Sequence, residues 1–318
     1  MRAVLVFNPN ATTTDAGVRD VIAAALASTM DLDVQPTKMR GHATHIVAGA
    51  IHDGVDAVFA LGGDGTANEV IQAMAGTSAV LGVIPGGGTN VFARALGLPN
   101  DPVHATSALL ESVRHGHDRH ISLGRAAGRY FAFHAGYGFD AAVVRAVEQA
   151  PTMKRRLRQG AFVWQATRTY FADADRAAGT LQVRTGDGTT VGPGSIAIVG
   201  NTTPYTWLGT RPLHVTPDAG FDTGLDLALI GPVSALRLLR LVKGLLDGDG
   251  LPAGDDVTLL HDRHLLTLTS SVPRPLQVDG DYAGEFTECR LESIPRALRV
   301  FGQRTFLGPE LASDGFAE

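Results

Sequence analysis

The chain has 318 residues, a formal net charge of −5 and a single cysteine, Cys289. This length favours two domains and allows a sizeable core. The negative charge disfavours general binding of nucleic acid, and one cysteine excludes an internal disulfide. No apolar run approaches the roughly 18 residues of a spanning helix, and the first residues are typical of a strand rather than a signal peptide. We therefore expect a cytoplasmic protein, and reversible contact with a membrane stays open.

Residues 1–124 alternate between predicted strands and predicted helices. Strands are predicted at Ala3–Phe7, Leu32–Gln35, Ala57–Leu61 and Ala79–Ile84. Helices are predicted between and after them, at Val18–Ser28, Ala43–Ile51, Ala67–Met74 and Val91–Leu96. Apolar runs mark the strands, and apolar residues with helical spacing mark the helices. Such alternation predicts an α/β domain with a parallel sheet covered on both faces.

Residues 125–301 follow a different pattern. One long helix is predicted over about 152–176, and the rest consists of short runs with strand-like alternation, separated by turn residues. This pattern predicts a mainly antiparallel β-sandwich domain. The tail 302–318 is expected to be loose or to pack back on the first domain.

A cluster of glycines separates the third predicted strand from its helix. The cluster consists of Gly62, Gly63, Asp64 and Gly65. Glycines at the carboxyl end of a parallel strand allow a phosphate to approach backbone N–H groups at a helix N-terminus. The acid would repel a phosphate unless a cation such as Mg²⁺ lay between them. Thr66 and Glu69 fit a capping box. The alternative is a structural turn with a solvated acid.

The same four letters, Gly-Asp-Gly-Thr, recur at Gly186–Thr189 between two strand-like runs, where they predict an ordinary hairpin. A second glycine cluster, Gly86, Gly87 and Gly88, follows the fourth predicted strand and precedes a helix. The two strand-to-helix clusters are expected to line one crevice. Neither is followed by Lys-Ser/Thr, which excludes a Walker A loop, and the first strand lacks Gly-x-Gly-x-x-Gly.

In order and spacing, these motifs resemble the diacylglycerol kinase catalytic-domain family, bacterial lipid kinases related to sphingosine kinases and NAD kinases. The resemblance covers nearly the whole chain. It is carried by Asn8-Pro9, Gly62–Thr66 with Asn68-Glu69, Pro85-Gly86-Gly87 with Asn90, Phe92, Ala93 and Arg94, Gly136–Asp140, Pro217–Leu227 and Asp279-Gly280-Asp281.

The resemblance implies ATP-dependent transfer of the γ-phosphoryl group to a lipid hydroxyl, with Mg²⁺ as a further cofactor. The residues implied in binding ATP are Asn8, Thr37, Gly62, Gly63, Asp64, Gly65, Thr66, Gly86, Gly87, Gly88 and Asn90. Asp279 corresponds to a general base, with Asp281 in the same motif, and Asp64 would organise the catalytic metal. Asp222 corresponds to an acid of a structural Mg²⁺ site.

Three positions depart from the family pattern. Val91 and Ser122 stand where acids are usual, and Asp281 replaces Glu. Loss of two carboxylates should weaken a metal site organised by Asp64. Either ATP carries most of the metal's ligands, or another acid such as Glu69 substitutes, or activity is low.

The predicted long helix combines basic residues with aromatic ones, namely Lys154, Arg155, Arg156 and Trp164. Such residues suit a peripheral contact with an anionic membrane surface, where a lipid kinase meets its substrate at the inner face. The alternative is an ordinary helix with its aromatic residues packed inward. The oligomeric state is not fixed by the sequence, and a homodimer stays open.

The leading interpretation is therefore an ATP- and Mg²⁺-dependent lipid kinase. One alternative is an NAD kinase-type phosphotransferase with a soluble acceptor. The other is a non-catalytic nucleotide- or lipid-binding protein that has lost its metal acids.

Overall fold

The computed structural model describes residues 1–9, 15–138, 181–232, 235–248, 250–252, 254 and 256–302. The chain divides into two compact units. Unit 1 contains Met1–His120, and the chain re-enters it at Leu298. Unit 2 contains Ile121–Ala297. The sequence-based boundary at residue 124 falls within the strand that crosses from one unit to the other.

Unit 1 consists of alternating strands and helices around a parallel sheet, as predicted. Its elements are β1 (Arg2–Phe7), α1 (Ala16–Ala27), β2 (Asp31–Pro36), α2 (His42–His52), β3 (Ala57–Gly62), α3 (Asp64–Met74), β4 (Val80–Pro85), α4 (Val91–Ala95) and α5 (Pro102–His115). The sheet order is β4-β3-β1-β2, and the last residues of the chain's final strand, Arg299 and Val300, pair with β4. All of these pairings are parallel.

Helix α5 was not predicted. Its start is well marked, because the Asp101 side chain accepts hydrogen bonds from the N–H groups of Val103 and His104, and Pro102 occupies the first turn. Gly116 then ends the helix in a left-handed conformation. The capping residues of α5 are typical helix signals. The helix was missed because polar residues interrupt the spacing of its apolar ones.

Unit 2 is mainly antiparallel, which confirms the predicted class. Its strands are β5 (Asp118–Ala126), β6 (Arg129–Phe131), β7 (His134–Gly138), β8 (Leu181–Thr185), β9 (Thr190–Gly194), β10 (Ile196–Gly200), β11 (Thr206–Leu208), β12 (Arg211–Leu213), β13 (Leu225–Ile230), β14 (Val257–Arg263), β15 (Leu265–Val278) and β16 (Asp281–Phe301). The first residues of β5 and the last residues of β16 belong to unit 1. The central order is β14-β13-β10-β7-β15-β16. A helix, α6 (Ala235–Asp247), lies where the sequence analysis assigned no element.

Two apolar clusters cover the sheet of unit 2. Alternation along β7 sends Ala135 and Tyr137 into one cluster, together with residues of β10 and β15. The other cluster contains Ile196 and Ile198 of β10 and Leu241 of α6. The register sets His134 opposite Gly200 and sets Ala135 opposite Val278 of β15.

The second Gly-Asp-Gly-Thr segment lies in the hairpin between β8 and β9, as predicted. The Asp187 carboxylate accepts hydrogen bonds from the Thr185 hydroxyl and, at 2.9 Å, from the Thr189 N–H. These bonds, the Thr185 hydroxyl first, lower the pKa of Asp187 to about 2. This copy of the motif is therefore a side-chain-stabilised turn.

The predicted long helix, with Lys154, Arg155, Arg156 and Trp164, lies outside the described residues, as do residues 303–318 of the tail. Within the described part of the chain, no helix combines the length and the apolar character needed to cross a membrane.

Candidate functional site

The carboxyl ends of the four parallel strands of unit 1 bring the predicted nucleotide-binding residues to one edge. The first residues after three of these strands continue the hydrogen bonding of the sheet. Asn8 N–H donates to the Leu61 carbonyl at 3.1 Å, Thr37 N–H to the Phe7 carbonyl at 2.8 Å and Gly86 N–H to the Gly62 carbonyl at 2.7 Å. Ligands of open parallel sheets bind at this edge. ATP binding by these residues stays a prediction.

The two glycine clusters touch each other. A Cβ atom on Gly87 would lie 2.7 Å from the Gly63 Cα atom, and one on Gly62 would lie 2.6 Å from the Thr66 hydroxyl oxygen. By contrast, Gly65 and Gly88 are exposed, and a Cβ atom on either would meet no heavy atom of the described residues within 4 Å, apart from its chain neighbours and, for Gly65, the backbone of its own helix. Gly87 therefore allows the two loops to pack, Gly62 allows the turn into α3, and Gly65 and Gly88 leave space beside the backbone.

Asn90 holds the second glycine loop. Its side chain accepts a hydrogen bond from Gly87 N–H at 2.8 Å and donates to the Gly87 carbonyl at 2.9 Å and to Asn100 Oδ1 at 2.7 Å. The residue is buried and left-handed, with φ of 50°, which asparagine tolerates better than most residues. The sequence motif thus fixes the loop immediately before α4.

Asp64 links the two loops. It is the first residue of α3, and its Oδ1 atom accepts a hydrogen bond from Phe92 N–H, at the start of α4, at 3.0 Å. Burial of the carboxyl group raises its pKa, while the backbone N–H groups of Phe92, Val91 and Asp64 itself act in the opposite direction. The acid therefore has a structural role in addition to the metal role that the sequence predicts.

The predicted capping box is wrong. The N-cap of α3 is Gly63, so Thr66 lies inside the helix. Glu69 reaches the start of α2 instead, where its two carboxylate oxygens accept hydrogen bonds from Gly41 N–H at 2.8 Å and Ala43 N–H at 3.1 Å. Because both oxygens are engaged there, Glu69 is a poor substitute for a missing metal ligand.

The described residues do not form a complete site for a protein-held Mg²⁺ ion. Among them, no group of three or more His, Cys, Asp or Glu side chains could hold a metal. Val91 is buried, and the Ser122 hydroxyl donates to the Phe221 carbonyl at 2.6 Å. Asp222 is exposed, and its metal role stays a prediction. A catalytic Mg²⁺ ion would need the phosphate oxygens of a nucleotide as additional ligands.

In unit 2, Asp279 occupies a cradle of three successive backbone N–H groups. Its Oδ2 atom accepts from Ala132 N–H at 2.7 Å, and its Oδ1 atom accepts from Phe133 N–H at 3.0 Å and His134 N–H at 3.1 Å. Asp279 is 6% exposed and left-handed, with φ of 47°. Asn201 secures the same segment through a bond from its Nδ2 atom to the Ala132 carbonyl at 2.9 Å. The carboxylate is thus fixed in place.

Asp281, the third predicted catalytic acid, begins β16 in unit 2 and is half-buried. Its Oδ2 atom lies 3.3 Å from the Arg129 guanidinium. This ion pair orients the side chain, and a catalytic role stays a prediction.

His134 was not identified from the sequence. Its ring is buried, its Nδ1 atom has no hydrogen-bond partner among the described residues, and burial lowers its pKa to about 3. The ring centroid lies 4.9 Å from that of Phe133 and 4.2 Å from that of Tyr205. A single histidine in a short strand carries no spacing signal, so only the structure reveals its position beside Asp279.

Two family models match the chain. Residues 2–126 match the diacylglycerol kinase catalytic domain, and residues 134–302 match the YegS C-terminal NAD kinase beta sandwich-like domain. The chain belongs to the diacylglycerol kinase catalytic-domain family. The resemblance inferred from the glycine and acid motifs is thereby confirmed.

The relatives of this family member include a protein from Chromohalobacter salexigens named "Probable lipid kinase YegS-like", which is 28% identical over 83% of this chain and 82% of its own length. A diacylglycerol kinase from Staphylococcus aureus is 27% identical over 87% of this chain and 84% of its own length. Both relatives span both units of the fold.

A solved structure of a diacylglycerol kinase from Bacillus anthracis has a TM-score of 0.72 and 20% identity, and covers 96% of this chain and 97% of its own. An NAD kinase from Archaeoglobus fulgidus in complex with ATP has a TM-score of 0.50 and 12% identity, and covers 96% of this chain and 95% of its own. These likenesses establish the fold, diacylglycerol kinase-like and NAD kinase-like.

Proposed function

We propose that this protein is an ATP-dependent lipid kinase that transfers the γ-phosphoryl group of ATP to the hydroxyl of a lipid. Membership of the family and the names of the relatives support a kinase. The acceptor is proposed to be presented at a membrane surface, which the enzyme contacts peripherally.

One observation carries the nucleotide part of the proposal: two glycine loops meet at the carboxyl edge of a parallel sheet. Beside them, Gly65 in the first turn of α3 and Gly88 in the second loop are exposed, with open space next to the backbone. Phosphate oxygens would receive backbone N–H groups from these loops. Asn90 holds one loop and Asp64 joins it to the other, so that the phosphates would meet a preorganised surface. Mg²⁺, bound through those phosphates, would neutralise part of their charge.

Asp279 is proposed as the general base. Its carboxylate would take the proton of the acceptor hydroxyl while the hydroxyl oxygen forms the new bond to the γ-phosphorus atom, and the bond from that phosphorus to the bridging oxygen of ADP breaks. Three backbone N–H groups orient the carboxylate for this step. The products are a lipid phosphate, ADP and a proton on Asp279.

The decisive experiment measures transfer of labelled phosphate from ATP, with Mg²⁺, to lipids in mixed micelles. We expect label in a lipid product, reduced roughly a hundredfold or more in D279N because the base is lost. Asparagine also turns an amide NH₂ toward N–H donors, so thermal melting and ATP binding must be measured beside turnover. D187N, in the hairpin copy of the motif, is the matched control and should retain activity.

The second candidate is non-catalytic binding of nucleotide or lipid. It is favoured by the lack, among the described side chains, of an acid cluster that could hold a metal. ATP binding without transfer to any acceptor would support it over the kinase. Label in NAD rather than in a lipid would instead support a phosphotransferase with a soluble acceptor. Full lipid phosphorylation by D279N would contradict the role of Asp279.

A further inference from the structure

The loop between β2 and α2 presents the most exposed large apolar side chain among the described residues. Met39 is 73% exposed, and its neighbours Lys38 and Arg40 are exposed as well. A single exposed apolar residue is ordinary on a protein surface. Here, however, the apolar side chain lies between two cations at the tip of a loop.

The charge around this loop differs from that of the whole chain. No acid occurs in the sequence between Asp33 and Asp53, although the chain has a net charge of −5. Lys38 and Arg40 therefore form a cationic spot on an acidic protein. Such a spot attracts a negatively charged surface.

Hydrogen bonds fix the shape of the loop. Lys38 N–H donates to His42 Nδ1 at 3.1 Å, and His42 N–H donates to the Met39 carbonyl at 3.2 Å. The Glu69 carboxylate accepts from Gly41 N–H at 2.8 Å, at the start of α2. A loop that is already ordered loses little conformational entropy when it binds.

The position of the loop connects it with the proposed ATP site. It follows β2 at the carboxyl edge of the sheet of unit 1, the edge to which the glycine loops belong. Thr37, a predicted nucleotide residue, directly precedes Lys38 and donates its N–H to the Phe7 carbonyl at 2.8 Å. A surface that contacts Met39 would therefore lie beside the nucleotide-binding edge of unit 1.

Three occupants of this loop can be compared by their chemistry. The phosphates of ATP would account for two cations but would leave Met39 in water. A second copy of the chain would bury about 800 Å² on each partner in a standard interface, far more than one loop tip offers. The headgroup region of an anionic bilayer matches both features, because cations pair with its phosphates and an apolar side chain enters its boundary with the acyl chains.

We infer that Lys38, Met39 and Arg40 dock the protein on the surface of an anionic lipid bilayer. The inference rests on the proposed lipid kinase function, in which the acceptor lies in a membrane, and deepens it by naming a contact surface. The two cations attract anionic headgroups, and Met39 enters the interface between them. Two cations and one apolar side chain give a weak contact, so the docking is reversible.

The test measures binding of the full-length protein to lipid vesicles by cosedimentation, without ATP. Vesicles of phosphatidylcholine alone are compared with vesicles of an equimolar mixture with phosphatidylglycerol. The variants are M39S, which removes the apolar contact, and the double variant K38Q/R40Q, which removes both charges. ATP affinity and the melting temperature are measured for each.

Each variant has a matched control. V21S changes the next most exposed large apolar residue, which is 58% exposed and lies in α1. The double variant R240Q/K243Q removes two exposed cations from α6 in unit 2 and changes the net charge of the protein by the same amount as K38Q/R40Q.

We expect K38Q/R40Q to lower the partition coefficient for the mixed vesicles about tenfold or more, since each cation near an anionic surface contributes severalfold. M39S should lower it about threefold, because the apolar contact is lost. Both variants should keep the wild-type melting temperature and ATP affinity, since the changed side chains are exposed. Both controls should bind the vesicles as the wild type does.

Equal loss of vesicle binding in R240Q/K243Q would overturn the inference, because net charge rather than this loop would determine binding. Weaker ATP binding by K38Q/R40Q with unchanged vesicle binding would also overturn it and assign the cations to nucleotide phosphates. A wild type that does not bind the mixed vesicles would overturn the docking surface, while transfer in micelles would still support the lipid kinase. Vesicle binding through this loop without transfer to any lipid would support the docking surface and overturn the kinase.

Discussion

At the residue scale, the glycines of the two loops are of two kinds: some lie too close to other atoms to allow a side chain, and others have free space beside the backbone. Gly87 is required by the contact between loops, since a Cβ atom there would lie 2.7 Å from the Gly63 Cα atom and 3.0 Å from Asn90 Oδ1. Gly88, the next residue, is exposed, and a Cβ atom there would have no described residue other than its chain neighbours within 4 Å. A methyl group at Gly88 would therefore clash with none of the described residues, whereas it would occupy space beside the loop backbone.

This contrast makes G88A a direct probe of nucleotide binding. We expect G88A to unfold at the same denaturant concentration as the wild type but to bind ATP about tenfold more weakly, because the methyl group would occupy space where we propose that the phosphates approach. Isothermal titration calorimetry measures the affinity, and urea unfolding measures the stability.

The neighbouring variant G87A provides the comparison. It should lower the free energy of unfolding by about 1–3 kcal/mol, since backbone atoms must move to relieve the clash. Wild-type ATP affinity in G88A would show that the phosphates do not approach this loop, and the glycines would then be explained by loop packing alone.

At the element scale, Glu69 connects the first glycine loop with the segment after β2. It lies in α3, which begins directly after Gly63, and it caps the start of α2 at Gly41 and Ala43. The Thr44 hydroxyl adds a bond to the Glu69 carbonyl at 2.7 Å. Thr37, a predicted nucleotide residue, lies just before the capped segment. Glu69 therefore holds two parts of the sheet edge together.

We predict that E69Q lowers the free energy of unfolding by about 1 kcal/mol, because a glutamine side chain can accept only one of the two N–H bonds and turns its NH₂ toward the other. ATP affinity should fall severalfold as the segment near Thr37 loosens. Urea unfolding and calorimetric titration measure both effects.

The control is D56N, which removes a carboxylate at the opposite edge of the same sheet, where Asp56 Oδ2 accepts from Arg2 N–H at 2.7 Å. D56N should leave ATP affinity unchanged. Equal loss of affinity in the two variants would mean that general destabilisation, rather than position at the edge, determines binding.

The elements also show what the sequence can reveal. The parallel sheet of unit 1 was predictable because β3 and β4 are buried on both faces and contain almost only apolar residues. The hairpin at Gly186–Thr189 followed from local turn chemistry, whereas Asn90 was singled out only through the family resemblance. The partner of Glu69 was not predictable, since Gly41 is 28 residues away along the chain. His134 became conspicuous only through its burial beside Asp279.

At the scale of the whole molecule, unit 1 is assembled from both ends of the chain. The end of β16 supplies an additional parallel strand next to β4. Phe301 stacks on Phe59 of β3 with ring centroids 5.8 Å apart and an interplanar angle of 12°. The Arg299 guanidinium pairs with the Asp118 carboxylate at 2.5 and 2.8 Å. Unit 1 therefore forms fully only after the last strand is available.

We predict that F301A lowers the free energy of unfolding by about 3 kcal/mol, because it removes a large, nearly buried ring from the core of unit 1. Hydrogen–deuterium exchange should report the loss of protection in β3 and β4, which lie far from residue 301 in sequence.

The matched variant F131A removes a fully buried ring of unit 2 and should instead deprotect the strands around β5. Deprotection of unit 2 alone in F301A would contradict the role of the last strand in unit 1. The expected pattern would mean that the strands before the two glycine loops, β3 and β4, depend on the chain's final strand for their stability.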